Sequence, residues 1–276
     1  LKRAPLWQQR LFLAAFFGAE LPAPALHGRS AIKMRRPVLT IACAEHHLAE
    51  GYRFLADIAE MLERFGVRTN GIYVEKRALQ RSDGSRSRIL RLLISGDTEN
   101  LIRLFTRIGV EYNTERRFLS LVSAQYLKRK QAVRQARQAL RCAIAAAYRQ
   151  GQPVQAVLEA ASIPVNTRFV TRSMWEAQPK GAGLPRDFPD FPTYMKQATE
   201  GLGRSGIVWE EIDRIERVED YKGEVYDFTV LHEDHNFVAN GFVVSNCGVR
   251  LLATNLTAEQ IAPHLAELAT RIYHNC

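Results

Sequence analysis

The chain has 276 residues, too many for one small domain and comfortable for two, and 46% of them are hydrophobic, enough for real cores. A formal net charge of +9 and a pI near 9.6 favour an acidic partner, with nucleic acid as the first candidate. No apolar run approaches the roughly 18 residues of a membrane-spanning helix, and the charged, interrupted N-terminus (Lys2, Arg3, Gln8, Gln9, Arg10) lacks a signal-peptide core. Cys43, Cys142, Cys247 and Cys276 show no paired spacing, so a reducing cytoplasm and no membrane partner are expected. Without an initiator Met, the chain reads as a fragment or a processed piece.

Residues 7–19, WQQRLFLAAFFGA, predict an apolar helix. Its small residues Ala14, Ala15, Gly18 and Ala19 would let another helix approach closely, and Glu20 ends it before Pro22 and Pro24. An acid at such a junction suits a divalent metal, although a merely solvated Glu20 is the commoner outcome. Val38–Ala42 reads as a strand. Leu48–Phe65 is an amphipathic helix with Phe54, Leu55, Ile58, Met61, Leu62 and Phe65 at helical spacing, closing on Gly66. Gly71–Lys76 and Ile89–Ser95 are predicted strands across the polar turn RSDGSRS. Thr98–Ile108 is a second amphipathic helix, capped by Asp97 or Thr98 and closing on Gly109. The two helix ends rhyme, as Arg64-Phe65-Gly66-Val67 and Arg107-Ile108-Gly109-Val110. Helices over a small sheet make the expected class α+β.

Residues 114–149 are the most basic part. Arg116, Arg117, Lys128, Arg129, Lys130, Arg134, Arg137, Arg141 and Arg149 stand against the single acid Glu115, in an alanine-rich helical context. Contact with the phosphates of double-stranded DNA is the functional expectation, and a solvated helix face is the bland one. After Gly151, Pro153–Ala161 and Asn166–Trp175 predict two short helices. They form either a helix-turn-helix projecting Asn166, Arg168 and Arg172 toward a groove, or a hairpin closing the core. Residues 176–192, rich in Pro, Gly and Asp, read as a linker. From Gly206 onward, IVWEEIDRIERVED predicts further strands.

The stretch Gly223–Gly248 predicts three short strands. One is carried by Val225, Phe228 and Val230, and two more bend at Asn240-Gly241. They end on Ser245-Asn246-Cys247. An Asn side-chain amide can attack its own backbone carbonyl, closing a succinimide and cutting before Cys247. The leaving amine then needs a proton, which His235 is suited to give. Cys247 would supply a thiolate able to capture an acyl group. A plain hairpin with a solvated His and a buried Cys is the alternative. Beyond it, Thr257 caps a predicted helix through Ile261, Leu265, Leu268 and Ile272.

Three resemblances follow from these motifs. Val225-Tyr226-Asp227 through His235-Asn236-Phe237-Val238, then Asn240-Gly241-Phe242-Val243-Val244-Ser245-Asn246 with Cys247, resemble the C-terminal splicing (Hint) segment of an intein. That likeness implies Asn246 cyclisation, Cys247 as branch-point nucleophile, and assistance from Asp227 and His235, with no cofactor. Ser245 stands where the family usually has His. Leu13–Leu21 with the order after it resembles a LAGLIDADG homing endonuclease of αββαββα architecture. It implies Glu20 as a Mg2+ ligand and Arg116 or Arg117 as the basic residue. Gly18 stands in place of the first acid, and only one motif copy is present. Asn246-Cys247-Gly248-Val249-Arg250-Leu251-Leu252 with Thr254-Asn255-Leu256-Thr257 resembles an RtcB-type RNA ligase. There Cys247 would be a Mn2+ ligand, with GTP used by the complete spliced ligase and RNA as partner only after splicing.

The resemblances imply four regions: an endonuclease domain at 1–130, a basic helical DNA-contact region at 131–180, an all-β splicing segment at 181–246, and a short α/β extein start at 247–276. The N-terminal part of the intein and its flank would be supplied from outside, since Leu1 makes no thioester. The rivals are a DNA-binding module with a dead nuclease and a Hedgehog-like autoprocessing domain.

Overall fold

The computed structural model describes residues 1–80, 84–161, 163–175, 182–203, 205–210, 212, 215–217, 230, 236–239, 242–245, 260 and 262–267. The chain divides into two units, Leu1–Asp213 and Arg214–Cys276. The first is mixed α+β around a small antiparallel sheet.

Helix α1 (Leu6–Glu20) follows Pro5 and ends where Leu21 turns extended, before Pro22 and Pro24. It buries Gln9, Leu13, Ala14, Phe17 and Gly18 at helical spacing. The small residues serve a closer neighbour than a helix. An added Cβ at Gly18 would lie 2.1 Å from the Glu111 carbonyl oxygen, and Glu111 N donates to Ala14 O at 3.0 Å. Within this unit an extended backbone therefore crosses α1 at Gly18, where a helix had been expected.

Strand β1 (Val38–Ala44) is the one strand between α1 and α2, preceded only by an isolated Leu26↔Met34 bridge. The strand read at Val38–Ala42 is therefore present, and the αββαββα order implied by the endonuclease resemblance is corrected to one strand between the first two helices. Helix α2 (Leu48–Arg64) buries Leu55, Ile58, Met61 and Leu62. Phe54, predicted on its apolar face, is exposed at the rim and meets Phe16 edge-on at 5.6 Å. Then come β2 (Thr69–Val74), the two-residue β3 (Leu79–Gln80) and β4 (Arg86–Ile94), in the order β1-β4-β2 with β3 on β4. The register sets Leu39 opposite Leu92 and Ile41 opposite Leu90, and puts Thr40 opposite Arg91 on the other face. Leu39, Leu90, Leu92 and Ile94 are fully buried, each worth about 1.5–3 kcal/mol in removed apolar surface.

Helix α3 (Thr98–Arg103) widens into a π turn over Leu104–Ile108. Both rhyming ends close on a glycine in the left-handed region, Gly66 at φ +72° and Gly109 at φ +74°. Asp97 occupies the N-cap position of α3 without capping it; its carboxylate accepts instead from Ser95 Oγ and Arg68 Nη2.

Helix α4 (Thr114–Arg149) is 36 residues long, about 54 Å at 1.5 Å per residue. Asn113 caps it by accepting from Arg116 N. The helix runs unbroken through the expected 130/131 boundary. Its first half buries Val122, Ala124, Tyr126 and Leu127 in the main core. Its second half buries Leu140, Ile144, Ala145 and Ala147 apart from that core, beside α5 (Val154–Glu159) and α6 (Thr167–Trp175).

The expected linker at 176–192 is corrected at its end. Asp190 caps α7 (Phe191–Ala198) by accepting from Thr193 N, and Phe188, Phe191 and Tyr194 surround Tyr126 at 5.3–5.7 Å. Residues 205–210 form no strand, and Trp209 N donates to Ala198 O.

In the second unit, β5 (Asn236–Ala239) and β6 (Phe242–Ser245) pair antiparallel with Ala239 opposite Phe242. Asn240 and Gly241, between them, lie outside the described residues. The expected strand from Val225 lies outside the described residues apart from Val230, and of the expected Thr257 helix residues 260 and 262–267 are described, with a 3-10 turn at Ala262–His264 followed by helix at 265–267.

Candidate nucleic-acid interface

Where α1 ends, its exit segment lies beside the open face of the sheet and the start of α4. A cavity of about 240 Å3 lies there, lined by Pro22, Pro24, Thr40, Ser120 and four arginines, Arg35, Arg36, Arg91 and Arg116. No carboxylate lines it. Arg35 and Arg36 are exposed just before β1. Arg91 pairs with Glu75 at 2.5 Å on the open face of the sheet. Arg116 Nη1 donates to Gly18 O and Ala19 O at 2.9 and 2.8 Å, satisfying two carbonyls at the C-terminus of α1, where a cation is favoured. Guanidiniums from three separate elements thus converge on one concavity, the geometry that receives a phosphate.

Glu20 is exposed beside this cavity. Among the described residues no group of three or more His, Cys, Asp or Glu stands ready to hold a metal ion. Glu20 was expected to supply one Mg2+ ligand with the second acid coming from outside the chain, and no step is derived through a metal.

The predicted basic residues of α4 divide sharply. Lys130 is 5% exposed and its ammonium donates to Ile32 O at 2.6 Å, holding the segment before β1 against the helix. Burial pushes its pKa down to about 8, with the nearby charges of Arg134 and Lys33 adding to the shift. Lys128 pairs with Glu210 at 2.6 Å, and the Arg129 guanidinium sits 5.7 Å over the Tyr194 ring. Arg117 and Arg134 are exposed, as are Arg168 and Arg172 on α6. Asn166, expected to reach a groove, accepts from Phe169 N and caps α6. The sequence reading missed Arg35, Arg36 and Arg91 as site residues. The alternation of β4, which puts Arg91 off the core face, was the available signal.

Tyr126 was also missed as a buried anchor. Its hydroxyl donates to Pro189 O at 3.1 Å, and burial, with the Asp190 charge, raises its pKa to about 12. Asp227, His235, Asn246 and Cys247 all lie outside the described residues. Nothing in the geometry therefore bears on the expected cyclisation or on Cys247 as a Mn2+ ligand.

Fold and site together define a mixed α+β chain with a cationic cavity and a long cationic helix. No protein-family model matches it, and no solved structure does. Over 276 residues, the whole of this chain, it is 32% identical to the tRNA-splicing ligase RtcB of Pyrococcus furiosus, covering 27% of that protein. It is likewise 32% identical to the tRNA-splicing ligase RtcB of Methanopyrus kandleri, covering all of this chain and 26% of the relative. It is also 28% identical to the DNA-directed RNA polymerase subunit Rpo1N of Methanocaldococcus jannaschii, over 90% of this chain and 14% of that protein. The chain therefore spans about a quarter of the length of the ligases it matches.

These matches correct the functional expectation. Likeness to RNA ligases was expected only of residues 247–276, and it runs through the whole chain. That whole-chain match to proteins named as ligases overturns the reading as a protein-splicing segment carrying a homing endonuclease, and the nuclease's Mg2+ falls with it. Among the described residues no helix is long and apolar enough to cross a membrane.

Proposed function

We propose that this chain is a nucleic-acid-binding segment of a larger RtcB-type RNA ligase polypeptide. Its cationic surface holds the phosphate backbone of a duplex. The observation that carries this reading is the cavity at the end of α1, to which the exposed Arg35 and Arg36 contribute beside the already engaged Arg91 and Arg116, with no lining carboxylate. The +9 net charge adds long-range attraction. The names of the relatives, a tRNA-splicing ligase and an RNA polymerase subunit, are consistent with it. Joining of RNA ends, with the Mn2+, GTP and Cys247 that the ligase resemblance implies, belongs in this proposal to the whole polypeptide.

Fluorescence anisotropy with a 20-base-pair DNA duplex, and in parallel with tRNA, tests it across a salt series. Binding should weaken steeply with salt, and Arg35→Gln with Arg36→Gln should flatten the log–log slope by about 2, uniformly across sequences. A salt-independent signal, or no binding to either probe at low salt, would overturn the proposal. Stronger binding of tRNA than of the DNA duplex would replace DNA with folded RNA as the partner.

A further inference from the structure

A second cationic concavity lies at the other end of α4. Arg137 and Arg141 from α4, Arg168 and Arg172 from α6, and Arg186 from the segment beyond line an open cleft of about 940 Å3. Asp187 is the one carboxylate among its lining residues. The guanidinium of Arg137 is fixed from two sides: it stacks 4.4 Å from the Phe169 ring and its Nε donates to Gly183 O at 2.9 Å. Arg141 is only 7% exposed and forms part of the wall of the cleft. Arg168 and Arg186 are exposed at its rim.

An indole stands beside these cations. Trp175 is 71% exposed at the end of α6, held by an edge contact to Tyr148 at 5.1 Å. Arg168, Arg172 and Trp175 follow at i, i+4 and i+7, so they run along one stripe of the helix. The same stripe lines a shallow depression of about 510 Å3 with Thr167 and Thr171. A duplex keeps its bases stacked inward and has no use for an exposed indole. A single strand offers both phosphates and free base faces, and stacking on an aromatic side chain is worth about 1–3 kcal/mol per base.

Resting on the nucleic-acid reading above, we infer that the α4–α6 cleft takes single-stranded nucleic acid. The phosphates lie on Arg137, Arg168 and Arg186, and an unpaired base stacks on Trp175. DNA and RNA share this chemistry.

The test uses the full chain with Trp7→Phe and Trp209→Phe, which leaves Trp175 as the sole indole. It is titrated with dT8, rU8 and the 20-base-pair duplex. Either octamer should quench the Trp175 emission, and whichever binds identifies the source. Trp175→Ala in the native background, read by anisotropy of a labelled octamer, should lose about tenfold in affinity. Arg168→Gln with Arg186→Gln should lose as much, while duplex affinity changes less than about threefold. Duplex binding without octamer binding, or octamer binding indifferent to both variants, would overturn this inference and leave the proposed function standing. Failure of every probe on the unmodified chain would overturn the proposed function itself.

Discussion

The two halves of α4 use the same residue types in opposite ways. In the first half two of the cations are turned toward the fold: Arg116 satisfies the carbonyls ending α1, and Lys130 reaches Ile32 O from a buried position. Around them Tyr126 is enclosed by Phe188, Phe191 and Tyr194 in the main core. In the second half a thin apolar seam of Leu140, Ile144, Ala145 and Ala147 holds α5 and α6, and arginines line an open cleft. Enclosure makes the difference. A cation beside orphaned carbonyls and little water becomes structural, whereas one beside an open groove stays available to a ligand.

The comparison can be broken by substitution, beginning with the largest effect. Tyr126→Ala should cost about 3–5 kcal/mol in chemical denaturation, because a large ring is deleted from an enclosed site. Leu140→Ala in the thinner seam should cost no more than about 2 kcal/mol, since the site can collapse. Equal losses would erase the distinction between the halves. Gly18→Val should cost about 3 kcal/mol by forcing the Glu111 carbonyl off α1, with the 2.1 Å approach leaving no room for a Cβ. Arg116→Ala should cost about 1.5–3 kcal/mol, a charge-assisted contact to Gly18 O and Ala19 O being lost.

A pH series sharpens the point at Lys130. Its folded pKa, near 8, lies below the ordinary lysine value of 10.5, so the charged form is disfavoured on folding. Between about pH 8 and 10.5 the unfolded chain holds a proton that the folded one has released, and stability conferred by this residue therefore rises with pH. Denaturation of the wild type beside Lys130→Met should show the wild type gaining on the variant across that window. Parallel curves would mean the ammonium is solvated. The smallest effect is expected at Arg168→Gln, within about 0.5 kcal/mol of wild type in stability because the side chain is exposed.

Much of the fold was legible. The apolar spacing of α2, the alternation in β4, the rhyming glycines and the apolar runs of β5 and β6 are short-range signals, and the elements formed within a few residues of where they were read. Helix α7 was not legible, because Pro189, Pro192 and Asp190 read as linker composition. In the structure Asp190 caps a helix whose aromatic face is stabilised by Tyr126, more than sixty residues earlier. At the candidate site the concentration of arginine in α4 was plain from composition. The contribution of Arg35, Arg36 and Arg91 was not, since only the sheet and the α1 exit bring them to one cavity.

The sequence by itself determined the positions of most of the described helices and strands and the strongly positive charge, because periodicity, glycine placement and ionisable side chains are local properties. Which cations face inward was decided by tertiary structure alone. Arg116 and Lys130 each bind a carbonyl 98 residues away in the chain. No local pattern encodes a partner at that distance, and only the packed fold brings the two together and removes the water between them.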